Sequence, residues 1–251
     1  MKVSVIIPSL NPDEKLVTVV DSLVKKGFKD IILVNDGSDE SHMWPFEKVG
    51  AYDECTILTH EVNRGKGRAL KTAFEYCIKN REGYIGVVTV DGDNQHQADD
   101  IMNCCEAMVS QDKVVLGVRT FDGDDVPFKS RFGNNLTSFV FKAMCGLAIS
   151  DTQTGLRLIP YKYIKDIINL EGSRYEYEIN ILLYFLKNDI SIKEIPITTI
   201  YETKKNETSH YRCIKDSLRI YKIIKNVKIW LLLKNGNKII DMVWLYYIIN
   251  L

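Results

Sequence analysis

Residues Val87–His96 read VVTVDGDNQH, four apolar or β-branched residues followed by two aspartates with one glycine between them. Short, almost continuous apolar runs of this kind suit strands buried on both faces of a sheet. The run has companions. KVSVIIP (Lys2–Pro8), DIILVND (Asp30–Asp36), CTILTH (Cys55–His60) and KVVLGVR (Lys113–Arg119) share its character, and the run itself reaches back to Gly83 as GYIGVVTVD (Gly83–Asp91). Helix-like segments lie between them: Asp13–Lys26 closed by Gly27, Gly67–Asn80 and Ala98–Gln111. Alternation of strand and helix predicts an α/β fold with a mostly parallel central sheet, joined by right-handed crossovers. Ligands of such sheets bind beyond the carboxyl ends of the strands. Pro8–Glu14, Asn35–Asp39, Asn63–Lys66, Asp91–His96 and Arg119 should therefore line one edge.

The second half is less regular. A helix-like stretch near Asn134–Gly146, the polar turn DTQTGLR (Asp151–Arg157), a helix through Glu178–Lys187, an edge strand SIKEIPITTIY (Ser191–Tyr201) and a long basic helix from about Tyr211 follow one another without repeat or low-complexity linker. One domain over residues 1–210 with a helical appendage over 211–251 is expected. The chain has 251 residues, 45% hydrophobic and 26% charged, enough for a sizeable core. Its formal net charge is zero, yet ten basic residues stand against three acidic ones between Glu202 and Lys238. That asymmetry points to an anionic partner. The six cysteines include no CxxC pair and are read as reduced, mostly buried thiols, which together with a start too short for a signal-peptide core implies a cytosolic chain.

Several clusters can carry chemistry. In an extended segment Asp91 and Asp93 point to the same side. Two neighbouring carboxylates repel unless a cation or a proton sits between them. Gln95 adds a neutral oxygen, and oxygen donors of this kind suit Mg²⁺ or Mn²⁺ shared with substrate phosphates. The plainer alternative is a solvated Asp–Gly turn. An EF-hand loop is excluded, because His96 and Met102 stand where it needs glycine and a carboxylate. NRGKGRA (Asn63–Ala69) puts two glycines at a strand-to-helix turn that either receives a phosphate or permits close packing. NDGSD (Asn35–Asp39) offers a carboxylate to a ribose or base, or an Asx turn. Arg119, Arg131 and Arg157 are guanidiniums expected near the same edge, natural partners of phosphate.

VIIPSLNPDE, VNDGSDE, NRGKGRALKTAF, VTVDGDNQH and DTQTGLR occur in this order at the spacings of the inverting family 2 glycosyltransferases with the Rossmann-like GT-A fold. Over about Val3–Tyr221 the chain most resembles the dolichyl- and polyprenyl-phosphate mannose or glucose synthase branch. The resemblance implies a nucleotide pocket of Pro8, Asn11, Glu14 and Asp36, with Asn63 and Lys66 beside it. It implies a divalent metal, Mg²⁺ or Mn²⁺, on Asp91, Asp93 and Gln95. It implies acceptor-phosphate contacts from Arg119 and Arg131, with Arg157, and from a late basic loop, KKNETSHYR, through Lys204, Lys205, Ser209 and His210. The loop has His210 where a lysine is usual, and the first loop reads SLNPDE where TYNE is usual.

A UDP- or GDP-linked hexose donor and a polyprenyl phosphate acceptor follow as the expected substrates, with no nucleic-acid partner. Transfer to a sugar hydroxyl of a glycan would need a carboxylate base, with Asp151, Glu176 and Glu178 available. A lipid phosphate would need arginines instead. A non-catalytic nucleotide- or calcium-binding module is the reading from another class. Beyond Tyr211, Ile214, Leu218, Tyr221, Ile224, Val227 and Leu231 share one helical side, with Lys215, Arg219, Lys222, Lys225 and Lys228 over the other. This suits an anionic membrane surface on the cytoplasmic side or a core-docked helix. The closing IIDMVWLYYIINL is too short to span a bilayer and is expected to dip into the interface or make a subunit contact.

Overall fold

The computed structural model describes residues 1–119, 138 and 149–198. Among them, seven strands form one sheet in the order β3-β2-β1-β4-β6-β5-β7. They are β1 (Val3–Ser9), β2 (Ile31–Asn35), β3 (Cys55–Thr59), β4 (Gly86–Thr89), β5 (Val114–Arg119), β6 (Arg157–Pro160) and β7 (Ile192–Ile197). The pairs β1–β2, β2–β3, β1–β4 and β5–β7 are parallel, while β6 runs antiparallel to both β4 and β5. The expected α/β architecture with a mostly parallel sheet is therefore present. β6 was not expected, and only its first residue, Arg157, fell in the expected polar turn. RLIP is four residues long and follows DTQTG, so its apolar signal is too brief to read, yet all four residues are buried in the sheet.

Strand periodicity sorts the core into two layers. Val5, Ile7, Ile31, Leu33 and Val88 face α1 (Glu14–Lys26) and α4 (Ala98–Gln111). Ile6, Ile32, Val34, Val87 and Ile159 face α3 (Lys66–Asn80), α5 (Ile164–Ile167) and α6 (Tyr175–Lys187). Both faces are covered, and this is why the strands carry apolar residues at successive positions. Local signals set α1 closely: Asp13 accepts the Lys15 N–H at 2.9 Å, Leu16, Val19, Val20 and Leu23 are buried, and Gly27 closes the helix at φ +96°. The short α2 (Trp44–Val49) was not expected, its six residues giving too little periodicity. The edge strand ends at Ile197 within the described residues, short of the expected Tyr201. Cys77, Cys104 and Cys105 are buried free thiols and Cys55 is half-buried. Of the expected helix at 134–146 only Ser138 lies within the described residues, and Cys145, Cys213 and the whole appendage 211–251 lie outside them.

β1 pairs with β2 on one side and β4 on the other, which makes its carboxyl end a switch point where a crevice opens. β6 pairs Arg157 with Thr89, the last residue of β4. Because β6 runs backwards, its start meets this edge, and residues 151–155 arrive beside the ends of β4 and β5.

Candidate active site

β4 ends at Thr89, and Gly92 and Asp93 form a turn that leaves through Asn94 at φ +62°. This corrects the extended geometry expected for Asp91–Asp93. The turn, and not strand alternation, keeps the two carboxylates close enough to interact. Burial and the Asp91 charge push the Asp93 carboxyl up to about 6. Asp91 moves the other way: burial opposes its charge, but the Lys66 ammonium beside it holds its carboxyl well below the usual range.

Lys66 opens α3 at the end of the NRGKG loop. Its Nζ lies 2.8 Å from Asp91 Oδ1 and 3.1 Å from Glu178 Oε2, with its side chain 17% exposed. Burial works against the ammonium, yet the two carboxylates raise its affinity for the proton above that of an ordinary lysine. The Tyr175 ring centroid is 5.8 Å from the same nitrogen. Asp91 Oδ2 is packed against Gly155, where a Cβ would fall 2.0 Å from that oxygen. Thr89 Oγ1 donates to the Gly155 carbonyl at 2.8 Å and fixes this contact. Three buried polar atoms nearby have no hydrogen-bond partner among the described residues: Ser9 Oγ, His96 Nδ1 and Thr152 Oγ1.

Asp151 is fully buried and holds Arg119. Its Oδ2 accepts Arg119 Nε at 2.7 Å and its Oδ1 accepts Arg119 Nη2 at 3.0 Å, a two-pronged pair at the end of β5. The Gln153 N–H also donates to Oδ1 at 3.1 Å. Arg157 stands at the expected edge, but its guanidinium turns inward. It is 3% exposed and donates to the carbonyls of Thr154, Thr152 and Glu178, so its guanidinium braces the start of β6 from inside. Glu176 receives the Ser173 and Arg174 N–H groups and caps α6.

The other half of the edge is closed. Asp36 is 4% exposed, and its carboxylate meets His60 Nδ1 at 2.6 Å, the Arg64 N–H at 2.9 Å and the Gly65 N–H at 2.7 Å. His60 Nε2 lies 2.9 Å from Thr72 Oγ1. The anion cradled by the loop is thus the protein's own Asp36, with Oδ1 taken by His60 and the Arg64 N–H and Oδ2 accepting the Gly65 N–H. The glycines permit close packing: a Cβ on Gly65 would lie 2.4 Å from the Ser173 carbonyl oxygen, and one on Gly67 2.5 Å from Tyr177 Cβ. From the end of the loop the Lys66 side chain turns to Asp91 and Glu178. Asn11, at φ +50°, exchanges hydrogen bonds with Asp39 and ties the end of β1 to the NDGSD loop. Pro8 is half-buried in β1, while Glu14 and Asn63 are exposed at the same edge. Arg131, Lys204, Lys205, Ser209 and His210 lie outside the described residues.

Asp91, Asp93 and the Gln95 amide are hard oxygen donors that follow one another at the end of β4. The donor set fits Mg²⁺ or Mn²⁺. Sequence reasoning missed Gly155, His60 and the use of Glu178. Glu178 alone left a trace, as a carboxylate inside the apolar run YEYEINILLYF.

The chain is similar to known proteins. Over 218 residues, 78% of this chain and 84% of the relative, it is 29% identical to a UDP-N-acetylglucosamine–dolichyl-phosphate N-acetylglucosaminyltransferase of Methanococcus voltae. It is 23% identical over 202 residues, 77% and 76% of the two chains, to a polyprenol monophosphomannose synthase of Mycolicibacterium smegmatis. The crystal structure of mannosyl-3-phosphoglycerate synthase from Rubrobacter xylanophilus superposes with a TM-score of 0.64 over 94% of this chain and 75% of that one, at 14% identity, which shows a shared fold. The family model described as Glycosyl transferase family 2 matches residues 4–168. That match runs from β1 through β6 and takes in Asp91, Asp93, Arg119 and Asp151, so the chain belongs to glycosyl transferase family 2 and is a glycosyltransferase.

Proposed function

We propose that the chain transfers a hexose from a UDP- or GDP-linked donor to a polyprenyl phosphate, with inversion, at the inner face of the cell membrane. One observation carries the choice of acceptor. Asp151, the carboxylate that a hydroxyl acceptor would call on as base, is buried and spends both oxygens on Arg119 and Gln153. The edge so built holds a guanidinium in place, which suits an anion, and a phosphate acceptor has no proton to lose. The names of the two relatives, which act on dolichyl phosphate and make a polyprenol monophosphomannose, support the same reading.

In the reaction a phosphate oxygen of the acceptor forms a bond to the anomeric carbon as the bond to the donor's diphosphate breaks. The electron pair leaves with the nucleoside diphosphate. Pro8, Asn11 and Glu14 border the space for the nucleoside, and Lys66 stands where the diphosphate would come to rest. Arg119, oriented by Asp151, receives the acceptor phosphate, with Arg131 and the 204–210 loop as further contacts. A Mg²⁺ or Mn²⁺ ion held by Asp91, Asp93 and Gln95 would stabilise charge on the leaving diphosphate. No helix among the described residues is long and apolar enough to cross a membrane, and the basic 211–251 segment is assigned to the anionic surface.

Incubating the full chain with membranes and labelled UDP- or GDP-hexoses should yield a chloroform-extractable, mild-acid-labile product. Label confined to water-soluble glycan would overturn the lipid-phosphate acceptor in favour of a hydroxyl.

A further inference from the structure

The ammonium of Lys66 stands on the carboxylate that the proposed donor site reserves for a divalent ion. Its Nζ is 2.8 Å from Asp91 Oδ1, and the other Asp91 oxygen is packed against Gly155. An ammonium and a divalent cation on one carboxylate repel each other, strongly so where water is largely excluded. Lys66 has a second seat. Glu178, 6% exposed in the first turn of α6, places Oε2 3.1 Å from Nζ. That seat is firm: Glu178 Oε1 is 3.9 Å from Arg157 Nε, and Arg157 is itself anchored by three carbonyls, one of them the backbone carbonyl of Glu178. A glutamate is seldom this buried unless paired, and leucine here would leave the buried Lys66 and Arg157 cations with one carboxylate fewer. Its position between two fixed cations gives it a task that an apolar residue could not perform.

We infer that Lys66 is a resident cation shared by Asp91 and Glu178, and that Glu178 is the positioning residue that keeps the ammonium beside the donor diphosphate once a divalent ion takes Asp91. Lys66 then guards Asp91 against a metal arriving alone and supports the metal arriving with a nucleotide, since the diphosphate gives the displaced ammonium a partner. The inference rests on the proposed metal site and on nothing about the acceptor.

The test is binding without turnover, on the full chain, with Mn²⁺ alone followed by electron paramagnetic resonance and with UDP and GDP followed by calorimetry in the presence of Mn²⁺. Lys66→Met should bind Mn²⁺ alone about tenfold more tightly than the wild type, because the competing charge is gone. The same variant should bind the nucleoside diphosphates about tenfold more weakly. Opposite signs in one protein are not the result of a general loss of structure. Glu178→Gln, which keeps shape and hydrogen bonding, should weaken Mn²⁺ binding severalfold in the wild-type background and much less in Lys66→Met, because its effect acts through Lys66. Equal Mn²⁺ affinity in wild type and Lys66→Met, or equal weakening by Glu178→Gln in both backgrounds, would overturn the shared-cation inference while leaving the metal site intact. Absence of Mn²⁺ binding from every variant, with and without nucleotide, would overturn both.

Discussion

Asp36 and Asp91 each follow a parallel strand of the same sheet at the same edge, and the fold treats them oppositely. Asp36 is met by two backbone N–H groups and a histidine ring, with its side chain 5% exposed. Asp91 is met by one lysine side chain and a glycine surface, with 32% of its side chain exposed. Backbone donors cannot leave without unfolding the loop, whereas an ammonium on a flexible stem can move aside. A carboxylate surrounded by the first kind of partner is structural, and one facing the second kind is available for exchange. The difference lies in the partners, since both residues are acids ending apolar strands.

The comparison can be broken most directly at Asp91. Asp91→Asn should lower kcat/KM about 10²–10³-fold or more with little loss of stability, measured by initial rates and thermal melting. Undiminished transfer by this variant under metal chelation would show that the half-buried carboxylate of Asp91 is no more functional than the buried one of Asp36. Next in size is Gly155→Ala. Its added methyl has no room beside Asp91 Oδ2, so the acid must shift, and turnover should fall about 10²-fold although the substituted residue has no chemistry of its own. Asp36→Asn should do the reverse, lowering the unfolding free energy in urea by about 1–3 kcal/mol while turnover per folded molecule changes far less than in Asp91→Asn. If it silenced transfer and left stability alone, Asp36 would belong to the donor site and the contrast would collapse.

The smallest effect concerns pH. The Asp93 carboxyl is raised in the folded protein to about 6 from 3.8, so the metal-free fold binds a proton there that the unfolded chain has released. Its ionisation therefore costs stability as pH rises between about 4 and 6, and the cost is full above that window. Asp93→Asn should stabilise the metal-free protein by on the order of 1–2 kcal/mol at pH 7.5 and by much less at pH 4.5, even as it abolishes transfer. Equal melting shifts at the two pH values would mean that Asp93 ionises freely.

Much of the frame could be read from local signals. Asp13 and Gly27 bound α1, and the limits of α4 coincide with the expected Ala98–Gln111. What escaped was short or distant. RLIP holds the centre of the right half of the sheet with four residues, and its direction depends on pairing with strands far away in the chain. At the site, the DGD turn and Lys66 were visible as motifs, but the service of Asp36 to its own loop was not, because a free carboxylate and one consumed by backbone N–H groups are spelled alike. Nor does spacing reveal that Lys66 would meet a glutamate in α6, or that Arg157 would turn inward.

The pair between Arg119 and Asp151 joins positions 32 residues apart, one where the chain leaves β5 and the other just before it enters β6. The chain between them therefore begins and ends at a single clasp, which ties the end of β5 to the segment that enters β6. Closing a longer or shorter excursion changes the entropy only slowly with length. A change in the number of residues between them would thus alter the cost of closing the clasp only slightly, and the Arg119–Asp151 pair would go on fixing both where the chain leaves β5 and where it returns to β6.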